Sequence, residues 1–151
     1  MAISVCEVLI TQSPLELPVR ETDSASGAMV DFWGMVRGLE DGRKLTGIDY
    51  EAHREMAEYQ MRGITEGATS KFGLAKVVIR HRIGFVPVGE ASVVVRVESA
   101  HRAAAFDANQ WIMDELKRTV PIWKNPVYQE TDPPFVAEKP QDSLGSPSVR
   151  A

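Results

Sequence analysis

The sequence predicts a single α+β domain, and three features of its 151 residues support that prediction. Segments with the two-residue apolar period of strands are interleaved with two longer segments that have helical spacing. The strand segments around Gly42 and around Pro87-Val88-Gly89 are close together in sequence, which favours antiparallel pairing over a doubly wound parallel sheet. Hydrophobic residues make up 44% and charged residues 25%, which is ordinary for a globular chain.

The N-terminal region predicts a strand followed by a short helix. Residues Ile3 to Ile10 have the composition of a strand. Ser13-Pro14 then offers an N-cap and a proline at the first helical position, so a short helix is expected through about Val19. The following stretch, Glu21 to Ser26, is polar and is interpreted as a linker.

A hairpin is predicted next. Gly27 to Val36 carries apolar residues at alternate positions, which is the period of a strand. Glu40-Asp41-Gly42 supplies turn residues, and Leu45 to Glu51 is expected to return as the partner strand.

The middle of the chain predicts a helix and two strands. The spacing of apolar residues between His53 and about Lys71 fits a helix with one buried face, which Gly73 would end. Ala75 to Ile83 and Ala91 to Glu98 both alternate as strands, with a turn-rich segment between them.

The last third predicts a second helix and a strand at an edge. Ala103 to Arg118 has helical spacing, and Pro121 forces the residue before it out of the helical region. Ile122 to Gln129 contains Pro126 and is expected at a sheet edge. The chain is therefore divided into a domain over residues 1–135 and a flexible tail over residues 136–151, which is rich in Pro, Ser and Gly.

Net charge and composition exclude several classes of protein. The formal net charge is -4 and the pI is about 5.4, so no global basic field favours nucleic acid. Neither a signal peptide nor a membrane-length apolar run is visible, and a cytoplasmic location is expected. The single cysteine, Cys6, cannot form an internal disulfide.

Three basic clusters are the candidates for chemistry. Arg37 and His101-Arg102 each follow the carboxyl end of a predicted strand, where they could converge on a bound anion. Lys117 and Lys124 flank Pro121, so they come together only if the turn folds back. Spacing alone leaves two alternatives open. Arg37 and His101-Arg102 could be solvated loop charges, and Lys117 could serve only to complement the dipole at the end of its helix.

Metal and nucleotide chemistry are not indicated by the sequence. The three histidines occupy separate predicted elements without a short-spaced partner set, so no metal site and no cofactor are expected. His81 alternates with the apolar face of its strand, which predicts a buried, hydrogen-bonded residue. Trp123, next to Lys124, is a candidate for a pocket wall. No nucleophile elbow, phosphate-binding loop or dinucleotide fingerprint is found.

Taken together, several segments resemble the molybdopterin synthase large (catalytic) subunit family. They are Gly27-Ala28, Phe32 to Arg37, Tyr50 to His53, Met56-Ala57, His81 to Gly84, Val88 to Glu90, Ser99 to Arg102, Ala105-Phe106, Leu116-Lys117 and Val120 to Lys124. The resemblance spans about Ile3 to Thr131, and the joint occurrence of Ser-Ala-His-Arg and Pro-Ile-Trp-Lys makes it specific.

The resemblance implies an α/β hammerhead fold and a sulfurtransferase that makes molybdopterin from cyclic pyranopterin monophosphate. The sulfur donor it implies is the C-terminal thiocarboxylate of a small ubiquitin-like subunit. It also implies a dimer of large subunits within a heterotetramer. Lys117 and Lys124 are implied as catalytic lysines. The implied substrate-binding residues are Met35, Val36, Arg37, His101, Arg102, Lys117, Lys124, Asn125 and Pro126.

One departure from the family pattern bears on function. Where the family usually continues Pro-Ile-Trp-Lys with a basic and then an acidic residue, this chain has Asn125-Pro126. A second hypothesis is therefore a non-catalytic module that binds an anion or a pterin at a degenerate site. The presence of both Lys117 and Lys124 favours the enzyme, because a binder would need only the arginines.

Overall fold

The computed structural model describes residues 5–19, 24–130 and 149–150. In chain order the elements are β1 (Val5–Thr11), β2 (Ala28–Met35), β3 (Leu39–Glu40), β4 (Arg43–Ala52), α1 (Arg54–Phe72), β5 (Lys76–Arg82), β6 (Gly84–Pro87), β7 (Ala91–Ser99), α2 (Arg102–Thr119), β8 (Ile122–Tyr128) and β9 (Val149–Arg150). Two main helices and largely antiparallel sheets confirm the predicted α+β class.

The first sheet has the strand order β1-β5-β7-β2. Strand β1 runs parallel to β5, whereas the other two pairs are antiparallel. Asp31 of β2 lies opposite Arg96 of β7. The Arg96 guanidinium donates two hydrogen bonds to the Asp31 carboxylate, from Nε to Oδ1 at 2.7 Å and from Nη2 to Oδ2 at 2.9 Å. This pair fixes the position of β2, which is the last strand on its side of the sheet.

The second sheet is built around β4. Strand β8 pairs with one edge of β4, and β6 pairs with β4 over Gly47 to Tyr50. The start of β4 forms a hairpin with β3. Only Ile83 separates β5 from β6, so the chain passes directly from the first sheet into the second. The two sheets therefore meet at this bend.

The two helices begin and end as the sequence predicts. Helix α1 is capped by the His53 side chain, which accepts from the backbone N–H of Met56, and it ends at Gly73 with φ 68°. Helix α2 ends where Val120 adopts an extended conformation before Pro121. Helix α1 packs on β1 and α2, and α2 packs on β2 and β7.

The short helix predicted from Ser13 to Val19 is wrong. Residues 14–19 have no regular secondary structure. The Arg80 guanidinium donates to the carbonyl oxygen of Glu16, and the Arg96 guanidinium donates to that of Pro18. These backbone acceptors are satisfied by strand side chains of the first sheet, so the segment follows the sheet instead of forming helical hydrogen bonds.

The predicted hairpin between Gly27–Val36 and Leu45–Glu51 is also wrong in its pairing. Strand β2 pairs with β7 in the first sheet, whereas β4 pairs with β3, β6 and β8 in the second. The turn residues Asp41 and Gly42 do form a tight turn, but its first arm is the two-residue strand β3. A register shift between Gly34 and Met35 precedes the last pair of β2, Met35 with Ala91, just before the chain changes sheets.

The predicted tail, residues 136–151, lies mostly outside the described residues. Its residues Val149–Arg150 form β9, which places Val149 opposite Lys124 and Arg150 opposite Trp123. The tail therefore has regular structure at this point, and the domain boundary at residue 135 stays a prediction.

Candidate active site

A cavity of about 330 Å³ lies where the two sheets meet near the end of α2. It is bounded by the end of β2, by β4, β8 and the end of β5, and by the last turns of α2. Its lining consists of Phe32, Trp33, Gly34, Met35, Val36, Arg37, Glu40, Ile48, Tyr50, His81, Ser92, Val93, Met113, Leu116, Lys117 and Lys124. Aromatic and aliphatic walls thus surround a few charged groups, as is typical of small-molecule sites.

Lys124 enters the cavity through the register of β4 and β8. Tyr50 lies opposite Lys124, and because side chains alternate along a strand, Asn125 lies opposite Asp49 on the other face. Lys124 lines the cavity, whereas neither Asn125 nor Pro126 does. The structure therefore does not bring these two predicted substrate-binding residues to the cavity.

Lys117 reaches the same cavity from the last turn of α2. Because Val120 is extended, the chain reverses at Pro121 and returns as β8. The fold-back on which the predicted proximity of Lys117 and Lys124 depended is present, and both lysines line one cavity.

The last residue of β2 and the two residues after it, Met35, Val36 and Arg37, are the next predicted substrate-binding residues. The backbone N–H of Val36 donates to the carbonyl oxygen of Glu90, and the N–H of Gly89 donates to that of Val36. Val36 is buried, and its predicted neighbours Met35 and Arg37 are exposed at the cavity lining. These backbone bonds hold the segment that carries Arg37.

The cavity has an excess of positive charge. Arg37, Lys117 and Lys124 line it, and Glu40 is the one carboxylate among the described residues of the lining. The Nζ of Lys124 lies 3.9 Å from a carboxylate oxygen of Glu40. No ion pair joins Arg37 or Lys117 to another part of the chain that the structure describes. Two cations thus remain available to an anionic ligand.

His81 and Tyr50 form the buried wall of the cavity. Their rings meet edge to face with centroids 5.3 Å apart. The Nδ1 of His81 lies 2.8 Å from the carbonyl oxygen of Arg82, and since that oxygen only accepts, Nδ1 donates and Nε2 is the acceptor. Burial lowers the pKa of His81 to about 4. His81 is therefore neutral at neutral pH, as its predicted burial requires.

The Tyr50 hydroxyl is also held in its neutral form. Burial raises the pKa of Tyr50, a hydrogen bond with Ser92 opposes that rise, and the Glu40 carboxylate adds to it. The Ser92 hydroxyl in turn lies 3.4 Å from the carbonyl oxygen of Gly34. A chain of polar contacts therefore links β4 to the end of β2 beneath the cavity.

We expect stability to fall at acid pH because His81 is buried as a neutral base. The unfolded chain takes up this proton near pH 6.5, but the folded chain does so only near pH 4. The free energy of unfolding should therefore decrease as pH falls through this window, by about 3 kcal/mol in total. Urea denaturation from pH 7 to pH 4 measures this loss.

His81→Gln should reduce the decrease in the free energy of unfolding between pH 7 and pH 4, because glutamine does not titrate. The same substitution at the exposed His101 is the control and should keep the loss. Equal pH dependence in wild type and His81→Gln would contradict the assignment of His81 as the responsible group.

The predicted convergence of Arg37 with His101-Arg102 is wrong within one chain. Strands β2 and β7 are antiparallel, with Ala28 opposite Ser99 and Met35 opposite Ala91. The carboxyl ends of the two strands thus lie at opposite ends of the pair. Seven residue steps separate them, which is roughly 24 Å. His101 and Arg102 are exposed and do not line the cavity.

Sequence reasoning missed several lining residues. Trp33, rather than the predicted Trp123, forms part of the wall. Glu40 was assigned only to a turn, and Tyr50 only to a strand. The alternation in β4 signals that Tyr50 shares a face with the apolar Ile48, but the pairing with β8 that brings this face to Lys124 is a long-range contact.

A family model described as MoaE protein matches residues 10–119 of the chain. The chain belongs to the MoaE family. The family resemblance predicted from the sequence is thereby confirmed, and the cavity described above is the candidate active site of a MoaE protein.

Individual MoaE relatives carry a more specific name. The chain is 42% identical over 117 residues to a molybdopterin synthase catalytic subunit of Thermoplasma volcanium, covering 78% of this chain and 85% of that one. It is 41% identical over 105 residues to the Homo sapiens protein of the same name, covering 70% of this chain but only 56% of the human one. The chain thus spans about half the length of the human relative.

Solved structures of a molybdopterin synthase and of a molybdopterin-converting factor have the same fold. A Staphylococcus aureus structure of molybdopterin synthase superposes with a TM-score of 0.73 at 31% identity, covering 81% of this chain and 91% of that one. A Helicobacter pylori structure, a complex of subunits 1 and 2 of molybdopterin-converting factor, gives 0.61 at 18% identity, covering 84% and 91%. The second likeness concerns the fold alone.

Neither a metal-ligand cluster nor a membrane-length helix occurs in the part of this MoaE chain that the structure describes. Within residues 5–19, 24–130 and 149–150, no three His, Cys, Asp or Glu side chains are grouped as a metal site would require. None of the helices in that part combines the length and apolarity needed to cross a membrane.

Proposed function

We propose that the chain is the catalytic subunit of a molybdopterin synthase. The observation that carries the proposal is that Lys117, Lys124 and Arg37, from α2, β8 and the segment after β2, line one cavity in a chain of the MoaE family. The substrate is cyclic pyranopterin monophosphate, and the sulfur donor is the thiocarboxylated C-terminus of a small ubiquitin-like subunit. The names of the relatives support this assignment.

The chemistry consists of two similar sulfur transfers. The thiocarboxylate sulfur attacks the side-chain carbon of the pterin that bears the cyclic phosphate. A carbon–sulfur bond forms as the carbon–oxygen bond to the phosphate breaks, so the phosphate becomes a monoester and the sulfur stays acylated by the small subunit. Water then cleaves the acyl–sulfur bond, releasing the small subunit as a carboxylate and leaving a thiolate on the pterin. A second thiocarboxylate attacks the adjacent side-chain carbon, whose oxygen leaves as water while the carbon–carbon double bond of the dithiolene forms. Hydrolysis of the second acyl–sulfur bond then completes the dithiolene.

The two cavity lysines and the cavity arginine have different roles in these steps. Lys117 and Lys124 move protons and orient the acyl carbonyl during transfer and hydrolysis. Arg37 binds the phosphate, which gains negative charge when the cyclic diester opens to a monoester. The buried His81 and Tyr50 remain neutral, so the positive field of the cavity comes from its lysines and arginine.

A second copy of the chain supplies His101 and Arg102. Strand β2 is the last strand of its sheet, and Phe32, Trp33 and Met35 on it are 40%, 42% and 50% exposed. A two-fold axis across this edge sets two β2 strands antiparallel and brings these side chains of the two copies close together. Within one copy, Arg37 follows one end of β2, whereas His101 and Arg102 lie near the other end, where Ala28 pairs with Ser99. Antiparallel pairing of two β2 strands therefore places His101 and Arg102 of the second copy beside Arg37 of the first. The predicted dimer then completes the substrate site.

The small subunit is the second partner. The Helicobacter pylori protein of the same fold is described as a complex of two subunits. A dimer of large subunits with one small subunit on each gives the predicted heterotetramer. The cytoplasmic location expected from the sequence stays a prediction.

The alternative of a non-catalytic pterin-binding module rested on Asn125-Pro126. Those residues do not line the cavity, and Asn125 faces the other side of β8. Both lysines do line it. The departure from the family pattern therefore leaves the lysine pair in place, which supports the enzyme over the binder.

Arg37→Ala is expected to weaken binding of cyclic pyranopterin monophosphate. A charge-assisted hydrogen bond to phosphate contributes about 1.5–3 kcal/mol, so the Kd should rise roughly 10- to 150-fold. Arg37 is exposed, and the fold should be unaffected. Calorimetric titration measures the affinity. Arg62→Ala, on the exposed part of α1, is the control and should bind like wild type. Unchanged affinity in Arg37→Ala would remove Arg37 from the phosphate site.

A further inference from the structure

Glu40 occupies a fixed position at the rim of the cavity. It closes the β3–β4 hairpin opposite Arg43, and the two residues between them, Asp41 and Gly42, have φ values of 54° and 74°. Two successive positive φ angles define the tight turn that matches the twist of paired strands. The same short segment carries Arg37 and Glu40 to the cavity lining.

The Glu40 carboxylate contacts the ammonium of Lys124 at 3.9 Å. The two side chains are 21% and 25% exposed, so solvent screens the pair less than it screens a surface ion pair. Tyr50 lines the same cavity as Glu40 and Lys124. Burial raises the pKa of Tyr50, and the Glu40 carboxylate adds to that rise. Glu40 thus faces two residues that lie opposite each other on β4 and β8.

No carboxylate follows Lys124 on β8, because the strand continues Asn125-Pro126-Val127-Tyr128, and the next carboxylate in the sequence is Glu130, beyond the end of the strand. The negative charge beside Lys124 comes from β3 instead. Lys124 has a flexible four-carbon side chain, and fixing its ammonium requires a partner.

We propose that Glu40 is a positioning residue that holds the Lys124 ammonium at the cavity wall, supplying from β3 the carboxylate that β8 lacks beside this lysine. The inference rests on the proposed function for its catalytic consequence. Glu40 acts through Lys124 and does not itself transfer a proton or bind the pterin.

Kinetics of the assembled synthase test the consequence. Glu40→Gln keeps the size of the side chain and removes its charge, so kcat should fall roughly 10- to 100-fold while KM stays within about twofold. Glu40→Asp retains the charge at a greater distance and should recover part of kcat. Asp41→Asn removes the adjacent exposed carboxylate, is tolerated at positive φ, and should leave both constants unchanged.

Three kinetic results would overturn the inference. They are a wild-type kcat in Glu40→Gln, an equal loss in Asp41→Asn, and a rise of KM with unchanged kcat. The second would show that the turn matters rather than the contact, and the third would show that Glu40 acts on the substrate.

A second measurement tests the contact between Glu40 and Lys124 independently of turnover. In the chain labelled at lysine Cε, the NMR order parameter of the Lys124 side chain should drop in Glu40→Gln and stay unchanged in Asp41→Asn. An unchanged order parameter in Glu40→Gln overturns the inference. If the wild-type chain makes no molybdopterin, the proposed function fails, and this measurement still decides whether Glu40 positions Lys124.

Discussion

Lys117→Ala is expected to abolish molybdopterin formation while the protein keeps its fold and its binding to the small subunit. Removing a general acid–base group costs roughly 10²- to 10⁴-fold in rate. Lys117 is exposed in the last turn of α2, where a lysine contributes at most ~1 kcal/mol to stability. Turnover assays, thermal melts and size-exclusion chromatography with the small subunit measure the three properties.

Two further variants define what Lys117 does. Lys117→Arg should recover little activity, because a guanidinium keeps its proton at neutral pH. Arg118→Ala removes the adjacent exposed cation, which pairs with Glu115, and should retain turnover. A near wild-type rate in Lys117→Ala would show that Lys117 is not catalytic and that Lys124 carries the proton transfer alone.

Mixing two inactive variants is expected to restore activity. Arg102→Ala should lose most turnover, since Arg102 is proposed to reach the substrate bound by the other copy. In a mixed dimer, the chain with Lys117→Ala still supplies Arg102, and the chain with Arg102→Ala still supplies Lys117. One of the two sites is then complete. Random exchange makes half of the dimers mixed, so roughly a quarter of wild-type activity should return.

The matched control mixes Lys117→Ala with Lys124→Ala. Both lysines line the cavity of one chain, so no mixed dimer contains a complete site and no activity should return. Recovery in this control, or none in the first mixture, would contradict a site shared between two copies.

The sequence predicted those parts of the fold that local chemistry determines. Helix α1 ends at Gly73 in the left-handed region, a signal that is visible in the sequence, whereas its N-terminal cap by the His53 side chain was not predicted. The end of α2 before Pro121 is equally local. The error at Ser13 to Val19 arose because Arg80 and Arg96, far away in sequence, bind the backbone there.

The candidate site could be predicted only in part. The proximity of Lys117 and Lys124 follows from one proline and a chain reversal, which the sequence indicates. The separation of Arg37 from His101 depends on the antiparallel pairing of β2 with β7, which no local signal reveals. Glu40 was assigned to a turn because its contact with Lys124 joins residues from β3 and β8.

Reconstitution with purified components tests the proposed function most directly. The wild-type chain is mixed with a thiocarboxylated small subunit and cyclic pyranopterin monophosphate, and mass spectrometry follows both molybdopterin and the terminal glycine of the small subunit. We expect molybdopterin to form with two thiocarboxylates converted to carboxylates for each molecule. If the thiocarboxylate stays intact and the pterin is bound but unchanged, the chain is a binding module and not a sulfurtransferase.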